Sequence, residues 1–258
     1  MPNNKKYNLV AENPQSTVVA EYTPAYRTAK AYQSEAELES AFIEQLKLQA
    51  YEYLSITSEA DLVRNLRQQL EKLNGFTFSD TEWENFLTGE IANPNQSIAE
   101  KTVTIQEDHI KNLKRDDGSV KNVYLLRKDK IHENSLQVIN QYITEEGQRA
   151  NRYDVTVLVN GLPLVHIELK RRGVAIQEAF NQINRYQRES FWAGSGLFEY
   201  VQIFVISNGT HTKYYSNTTR SEHIKESSEG AVKKGKRSSN SFEFTSWWAD
   251  ATNRPITD

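Results

Sequence analysis

Two alternating segments joined by Asn160-Gly161 constrain the fold of this chain more than any other stretch. Apolar and polar residues alternate through residues 153–159, and the alternation resumes through residues 162–170, as it does in half-buried strands. An Asn-Gly pair favours the two positive φ angles of a tight hairpin turn. The sequence therefore predicts an antiparallel β-hairpin over residues 153–170.

Charged side chains fall on one face of this predicted hairpin. Because alternate residues of a strand share a face, Asp154 and Thr156 point the same way from the first strand. His166, Glu168 and Lys170 likewise share a face of the second strand. We therefore expect two acids and a lysine to meet on adjacent strands, at the exposed mouth of a sheet.

Two carboxylates beside an ammonium group suit phosphodiester hydrolysis. Mg²⁺ prefers carboxylate oxygens, keeps several of its waters and binds phosphate at the same time, so Asp154 and Glu168 are the predicted metal ligands. Lys170 is predicted to orient the attacking water and to stabilise the charge of the transition state. The alternative is a surface hairpin with solvated charges, because an acid-x-Lys triplet arises about once or twice by chance in a chain of this size.

Four ordered motifs resemble the N-terminal nuclease region of type I restriction enzyme R (HsdR) subunits. They are Val138-Ile-Asn-Gln141, Val159-Asn-Gly-Leu-Pro-Leu164, Glu168-Leu-Lys170 and Val205-Ile-Ser-Asn-Gly209. Asp154 with the Glu168-x-Lys170 triplet also resembles the PD-(D/E)xK nuclease motif, although Tyr153 stands where a proline usually precedes the first acid. The resemblance implies an α/β fold with a restriction-endonuclease-like mixed β-sheet flanked by helices, and an added helical segment.

Two further candidates depend on the same resemblance. Gln182 and Tyr186 match the Q-x-x-x-Y signature of the nuclease branch coupled to helicase motors, and they lie one turn apart on a helix predicted over residues 174–191. The resemblance implies that they hold the substrate or relay to the motor; the alternative is a polar border of a packed face. Glu39, on the first predicted helix, is a candidate third metal ligand or, equally, a solvated helix carboxylate.

The resemblance also implies the cofactor and the partners. It implies Mg²⁺, with Mn²⁺ as a substitute, double-stranded DNA as substrate, and methyltransferase and specificity subunits in a larger complex. Arg171, Arg172 and Arg185 are the candidate DNA-binding residues. The net charge of −3 gives no support of its own to DNA binding, but it is compatible with a local basic groove. The chain has no G-x-x-x-x-G-K-[ST] loop, so ATP is expected only for the motor of a full-length protein.

Helix caps organise the first half of the chain. Ser34-x-x-Glu37 predicts a helix that runs from Ser34 through Leu54. Similar patterns start at Ser58 and Ser79, and Gly75 ends the first of them. We interpret residues 55–100 as a helical elaboration packed on the nuclease core.

Strand patterns return from residue 121. Val123, Leu125 and residues 135–143 predict strands that precede the Asp154 strand in the same sheet. The predicted division of the chain is an N-terminal arm over residues 1–32, an endonuclease domain over residues 33–245, and over residues 246–258 a linker towards a helicase motor that this chain lacks.

Composition excludes several classes of protein. The chain has no cysteine, which excludes disulfides and thiolate metal sites. No run approaches the ~20 apolar residues that span a bilayer, so we expect no membrane association and a cytoplasmic location.

The leading hypothesis is a Mg²⁺-dependent DNA endonuclease domain of a type I restriction-modification R subunit, a type I site-specific deoxyribonuclease. A non-catalytic DNA-binding or subunit-docking module with the same fold is the first alternative. A stand-alone repair or junction nuclease is the second.

Overall fold

The computed structural model describes residues 33–144, 151–191, 194–217 and 242–257, and two short paired strands, β1 (Glu12–Asn13) and β2 (Ser16–Thr17). The rest of the predicted arm over residues 1–32 lies outside the described residues. The further elements, in chain order, are α1 (Glu35–Leu48), β3 (Glu52–Tyr53), α2 (Glu59–Asn74), α3 (Asp80–Phe86), α4 (Ile98–Gln106), β4 (Ile110–Lys114), β5 (Val120–Tyr124), β6 (Leu136–Thr144), β7 (Asn151–Val159), β8 (Leu162–Leu169), α5 (Ile176–Glu189), β9 (Ile203–Ser207), β10 (Thr212–Ser216) and β11 (Ser246–Trp247).

A seven-stranded mixed sheet organises the fold, with the strand order β11-β10-β9-β8-β7-β6-β3. The pairs β3–β6 and β8–β9 are parallel, and the other neighbours are antiparallel. The parallel step from β8 to β9 is bridged by α5, as a crossover between parallel strands requires. Because β7 and β8 lie at the centre of the sheet, they are flanked by strands on both sides.

The predicted hairpin is confirmed as β7 and β8. Val159 pairs with Leu162 across a turn in which Asn160 has a φ of 50° and Gly161 a φ of 83°. A side chain at Gly161 would also place its Cβ 2.6 Å from the Cα of Leu66 in α2. Glycine is therefore required at this turn both for its φ and for the close approach of a helix.

Helices cover both faces of the sheet. On one face α1 packs Ile43 and Leu46 against Val155 and Ile167. The other face carries the larger core, in which Leu66 of α2 and Phe180 of α5 belong to the same buried cluster as the strand residues Tyr153 and Phe204. The predicted restriction-endonuclease-like mixed sheet flanked by helices is confirmed.

The helix caps are confirmed in their predicted places. The side chains of Ser34, Ser58 and Ser79 each accept a hydrogen bond from a backbone N–H of the first helical turn, and Gly75 ends α2 in the left-handed conformation. A further capping box at Ser97 begins α4, a helix that the sequence interpretation missed.

Two predictions about these elements are wrong. The first helix ends at Leu48 rather than Leu54, because Ala50 adopts a φ of 67° and the chain continues into β3, which pairs with β6. The strand that contains Val123 does not join the main sheet. It pairs with β4 in a separate two-stranded sheet, where Leu113 and Val123 complete the larger core.

The main sheet continues into the segment that the sequence assigns to a linker. Ser246 and Trp247 form β11 and pair with Tyr214 and Lys213 of β10. The proposed division at residues 33 and 245 remains a prediction. Among the residues that the structure describes, no helix is both long and apolar enough to cross a membrane.

Candidate functional site

The hairpin brings the three predicted catalytic residues together. Val155 pairs with Ile167, and one residue beyond this pair on each strand the Asp154 and Glu168 side chains lie close enough to interact. The backbone N–H of Leu169 donates to Oδ2 of Asp154 over 2.9 Å, and Nζ of Lys170 donates to Oε1 of Glu168 over 3.1 Å. Two carboxylates and one ammonium group therefore form a single cluster.

Glu168 does not lie at an exposed mouth of the sheet, as the sequence predicted. Its side chain is 0% exposed, and its backbone pairs with Ile206 of β9 on the side away from β7. Alternation within one hairpin cannot reveal this burial, because the pattern does not record which distant elements pack on a face of the sheet. Asp154 is partly buried, and Lys170 is 12% exposed.

Burial sets the electrostatics of the pair. It raises the pKa of Asp154 to about 7, and the negative charge of Glu168 adds to this effect. Burial also raises the pKa of Glu168 to about 7, against the opposing attraction of Lys170. Burial therefore destabilises the ionised form of both carboxylates, and a bound cation would offset this destabilisation.

A buried histidine, His166, lies next to Glu168. His166 is fully buried, Nδ1 lies 3.2 Å from Oγ1 of Thr156, and Nε2 lies 3.7 Å from Oε2 of Glu168. Burial lowers the pKa of His166 to about 4, so the ring is neutral near physiological pH. The ring contacts Tyr153, the residue in the position of the usual proline, whose hydroxyl donates to Oγ of Ser190 over 2.8 Å.

Glu39 faces the same cluster from α1. It is 8% exposed, and its two carboxylate oxygens accept hydrogen bonds from the side-chain amides of Asn140 and Gln141. Burial raises its pKa, and the charge of Asp154 also raises it. The alternative of a solvated helix carboxylate is therefore wrong.

Asn140 and Gln141 were missed as functional candidates. Both lie on β6, and Gln141 has a φ of 53°, which is unusual for a residue other than glycine. The sequence signal that could have identified them is the pair of adjacent amide side chains at the end of the Val138-Ile-Asn-Gln141 motif. They hold Glu39 towards β7.

Gln182 and Tyr186 lie on the sheet-facing side of α5. The Tyr186 hydroxyl donates to the backbone carbonyl of Arg152 over 2.8 Å, and the Gln182 amide donates to that hydroxyl oxygen. Tyr186 is buried, and burial together with the charge of Glu168 raises its pKa. The hydrogen bond fixes α5 to β7 two residues before Asp154.

The candidate arginines contact residues other than Asp154 and Glu168. Arg171 is exposed and donates its backbone N–H to Glu35 over 3.4 Å, while Arg172 is partly buried with Cγ and Nε close to Gly209. The guanidinium of Arg185 lies 5.4 Å from the ring centre of Tyr186. Arg152, exposed and two residues before Asp154, is a fourth cation that the sequence interpretation did not select.

The donor set fits a hard divalent cation. Within residues 33–144, 151–191, 194–217 and 242–257, no group of three or more His, Cys, Asp or Glu side chains is arranged to hold a metal. Mg²⁺ needs fewer protein ligands, because it is usually bound by one or two carboxylates, waters and substrate phosphate. Oε2 of Glu168 is buried without a nitrogen or hydroxyl donor among the described residues, and the Asp154 carboxyl lies within hydrogen-bonding reach of Glu168, so a cation between the two carboxylates would satisfy both.

The fold and this cluster define a nuclease-like α/β domain, and comparison with known sequences gives its family. The family described as type I restriction enzyme R protein N terminus matches residues 32–223, and the chain belongs to this family. All of the candidate site residues lie within the matched region.

Curated relatives agree with this assignment. The chain is 44% identical over 250 residues to the type I restriction enzyme EcoprrI endonuclease subunit of Escherichia coli, a match that covers 96% of this chain and 74% of the relative. It is 46% identical over 193 residues to the SsaAORF53P endonuclease subunit of Staphylococcus saprophyticus, covering 72% of this chain and 20% of the relative. The SauMSSORF170P endonuclease subunit of Staphylococcus aureus is 42% identical over 192 residues, with the same coverage of 72% and 20%. The match therefore spans about a fifth of the staphylococcal relatives.

Proposed function

We propose that this chain is a Mg²⁺-dependent DNA endonuclease domain that hydrolyses phosphodiester bonds of double-stranded DNA within a type I restriction-modification system. The observation that carries the proposal is the cluster of Asp154, Glu168 and Lys170, in which the two carboxyls interact with each other and Lys170 donates to Glu168. The names of the relatives, all endonuclease subunits of type I restriction enzymes, support the reaction class.

Asp154 and Glu168 are the proposed metal ligands. Each provides a carboxylate oxygen, and the N–H of Leu169 holds the Asp154 carboxylate in place. Glu39 is a proposed additional acid, because Asn140 and Gln141 hold its carboxylate near Asp154. When bound, Mg²⁺ would polarise the scissile phosphate and lower the pKa of a coordinated water. Mn²⁺ would serve as a substitute.

Lys170 supplies the positive charge of the site. Its ammonium group is held by Glu168 at 3.1 Å and lies 3.9 Å from Glu35. In this position it would orient the attacking water and stabilise the negative charge that develops on the phosphoryl oxygens. Tyr186 and Gln182 contribute by fixing β7, which keeps Asp154 close to Glu168.

DNA binding is assigned to the arginines at the border of the cluster. Arg171, Arg172 and Arg185 would contact backbone phosphates, which gives affinity without sequence preference and makes it fall with added salt. Sequence choice is therefore left to other subunits. The proposed partners are methyltransferase and specificity subunits, and ATP would be used only by the motor of a full-length protein.

Cleavage of supercoiled plasmid DNA in Mg²⁺ or Mn²⁺ tests this proposal. We expect Asp154→Asn and Lys170→Met each to reduce the cleavage rate by about 100-fold or more, the usual effect of removing a group that stabilises the transition state. Glu44→Gln and Lys47→Met are the matched controls, because they remove an exposed acid and an exposed lysine on α1. Metal-dependent cleavage by Asp154→Asn at the wild-type rate would rule out the assignment.

The alternative is a non-catalytic DNA-binding or subunit-docking module with the same fold, which metal binding separates from the nuclease. A docking module would bind DNA equally well in a chelator and in Mn²⁺. The nuclease proposal instead requires metal binding that depends on Asp154 and Glu168.

A further inference from the structure

His166 occupies an unusual position for a strand histidine. Its ring is fully buried and makes edge contacts with Tyr153 and Phe191, at centroid distances of 5.6 Å and 5.1 Å. Both ring nitrogens nevertheless face polar groups. Nδ1 faces the hydroxyl of Thr156, on the neighbouring strand, and Nε2 faces Oε2 of Glu168, two residues along its own strand.

The position of the ring proton follows from these two neighbours. A proton on Nδ1 would leave the Nε2 lone pair facing a carboxylate oxygen at 3.7 Å, which is repulsive. With the proton on Nε2, Nδ1 accepts a hydrogen bond from the Thr156 hydroxyl at 3.2 Å and the N–H points at Glu168. The ionised Glu168 carboxylate therefore favours the tautomer in which His166 is a donor, and the Thr156 hydroxyl holds the ring in it by donating to Nδ1.

Glu168 has one oxygen that needs such a donor. Oε1 accepts from Lys170, whereas Oε2 of Glu168 and Nε2 of His166 are both buried and make no hydrogen bond to a nitrogen donor or hydroxyl among the described residues; the Asp154 carboxyl is also within hydrogen-bonding reach of Glu168. The separation of 3.7 Å between Nε2 and Oε2 has to close by about 0.8 Å to reach the ~2.9 Å of an N–H···O bond.

We propose that Thr156 and His166 are positioning residues that act in series on Glu168: Thr156 holds the His166 ring by a hydrogen bond to Nδ1, and His166 orients the Glu168 carboxylate for a divalent cation. This inference rests on the proposed function, because it assumes that Glu168 is a metal ligand. It assigns a role to two buried residues that neither the motif nor the hydrolysis scheme uses. Partners that hydrogen-bond to a metal ligand commonly contribute 10- to 100-fold to metal affinity.

Three substitutions separate positioning from packing. Thr156→Val keeps the shape of the side chain and removes the hydroxyl. His166→Met fills much of the ring volume without a donor, and His166→Gln places an amide N–H near the position of Nε2. We expect Thr156→Val and His166→Met to raise the dissociation constant for Mn²⁺ by about 10-fold or more, and His166→Gln to restore most of the affinity.

Calorimetric titration with Mn²⁺ is the measurement, with thermal unfolding in a chelator as the check on folding. The wild type and Glu168→Gln report on the proposed function: absence of wild-type binding, or equal binding by Glu168→Gln, contradicts that function. The positioning role is tested when the wild type binds Mn²⁺ and Glu168→Gln does not. In that case, wild-type affinity in both single variants, Thr156→Val and His166→Met, overturns the positioning role. Should His166→Met not fold, Thr156→Val and His166→Gln decide, since packing alone predicts no loss for the first.

Discussion

At the scale of single residues, the buried negative charges of the candidate site are unfavourable for the stability of the folded protein. The Glu168 side chain is fully buried, and the negative charge of Glu168 acts on Asp154 of the neighbouring strand. Lys170 offsets this only in part, because burial still raises the pKa of Glu168 to about 7. Perturbed groups of this kind concentrate at functional sites, where a ligand relieves the cost.

A dependence of stability on pH follows from these pKa values. Unfolded Asp and Glu titrate near ~4, whereas Asp154 and Glu168 titrate at about 7 in the folded protein. Between those values the folded state binds more protons, so the metal-free protein should lose stability as pH rises from about 4 to about 7. Glu168→Gln removes one of the two acids and its repulsion of Asp154. The variant should therefore lose less stability than the wild type over the same pH range.

Urea unfolding of the wild type and Glu168→Gln in a chelator, at about pH 5 and about pH 8, checks this prediction. The free energy of unfolding of Glu168→Gln relative to wild type should increase between the two pH values. Glu44→Gln is the control, because its acid is 66% exposed. An equal difference at both pH values would show that the buried pair does not titrate as described.

The sequence predicted the members of the cluster but not all of their contacts. Alternation of period two is local, so it placed Asp154 and Glu168 on facing positions of one hairpin. The contacts of Glu39 with Asn140, and of Tyr186 with the carbonyl of Arg152, join residues far apart in sequence. Such contacts depend on how helices pack on the sheet, which no local pattern records.

At the scale of elements, the hairpin is positioned by its turn as well as by its strands. Gly161 packs directly on the backbone of α2, where the nearest atom to an added Cβ is the Cα of Leu66. Asn160 supports the same turn, since its side-chain amide donates to the carbonyl of Leu125 over 3.0 Å. The turn therefore fixes the end of the hairpin remote from the two acids.

Replacement of Gly161 by alanine should be strongly destabilising. A φ of 83° costs an L-residue about 1–3 kcal/mol, and a contact of 2.6 Å with backbone adds about 1–3 kcal/mol of overpacking. Gly118→Ala is the matched control, because Gly118 has a φ of 84° and no atom within 4 Å of an added Cβ. Urea unfolding should show the larger loss for Gly161→Ala; equal losses would contradict the close packing of turn and helix.

Elements with strong local signals were predicted, and elements made by pairing were not. Serine caps and a left-handed glycine are encoded within a few residues, so the starts of α1, α2 and α3 and the end of α2 were correct. Ser97-x-x-Glu100 carried the same signal for α4 and was overlooked. The two residues of β3 have no strand pattern of their own, and they are extended because β6 pairs with them.

At the scale of the whole molecule, a net charge of −3 is compatible with a site for DNA because the charges are unevenly placed. Arg152, Arg171 and Arg185 are exposed, whereas Glu168 and Glu39 of the acidic cluster are buried. Strand order was the global property that the sequence left open, because β11 and β3, at the two edges, come from distant parts of the chain. The family match over residues 32–223 confirms the assignment that the motifs suggested.

The central claim is that Asp154 and Glu168 together hold a divalent cation. Calorimetric titration of Mn²⁺ into the wild type, Asp154→Asn, Glu168→Gln and the exposed control Glu44→Gln tests it most directly. We expect binding to the wild type and the control, and a loss of about 100-fold or more in affinity for both site variants, because each removes a charged ligand. Identical isotherms for all four proteins would contradict the metal site and, with it, the nuclease function.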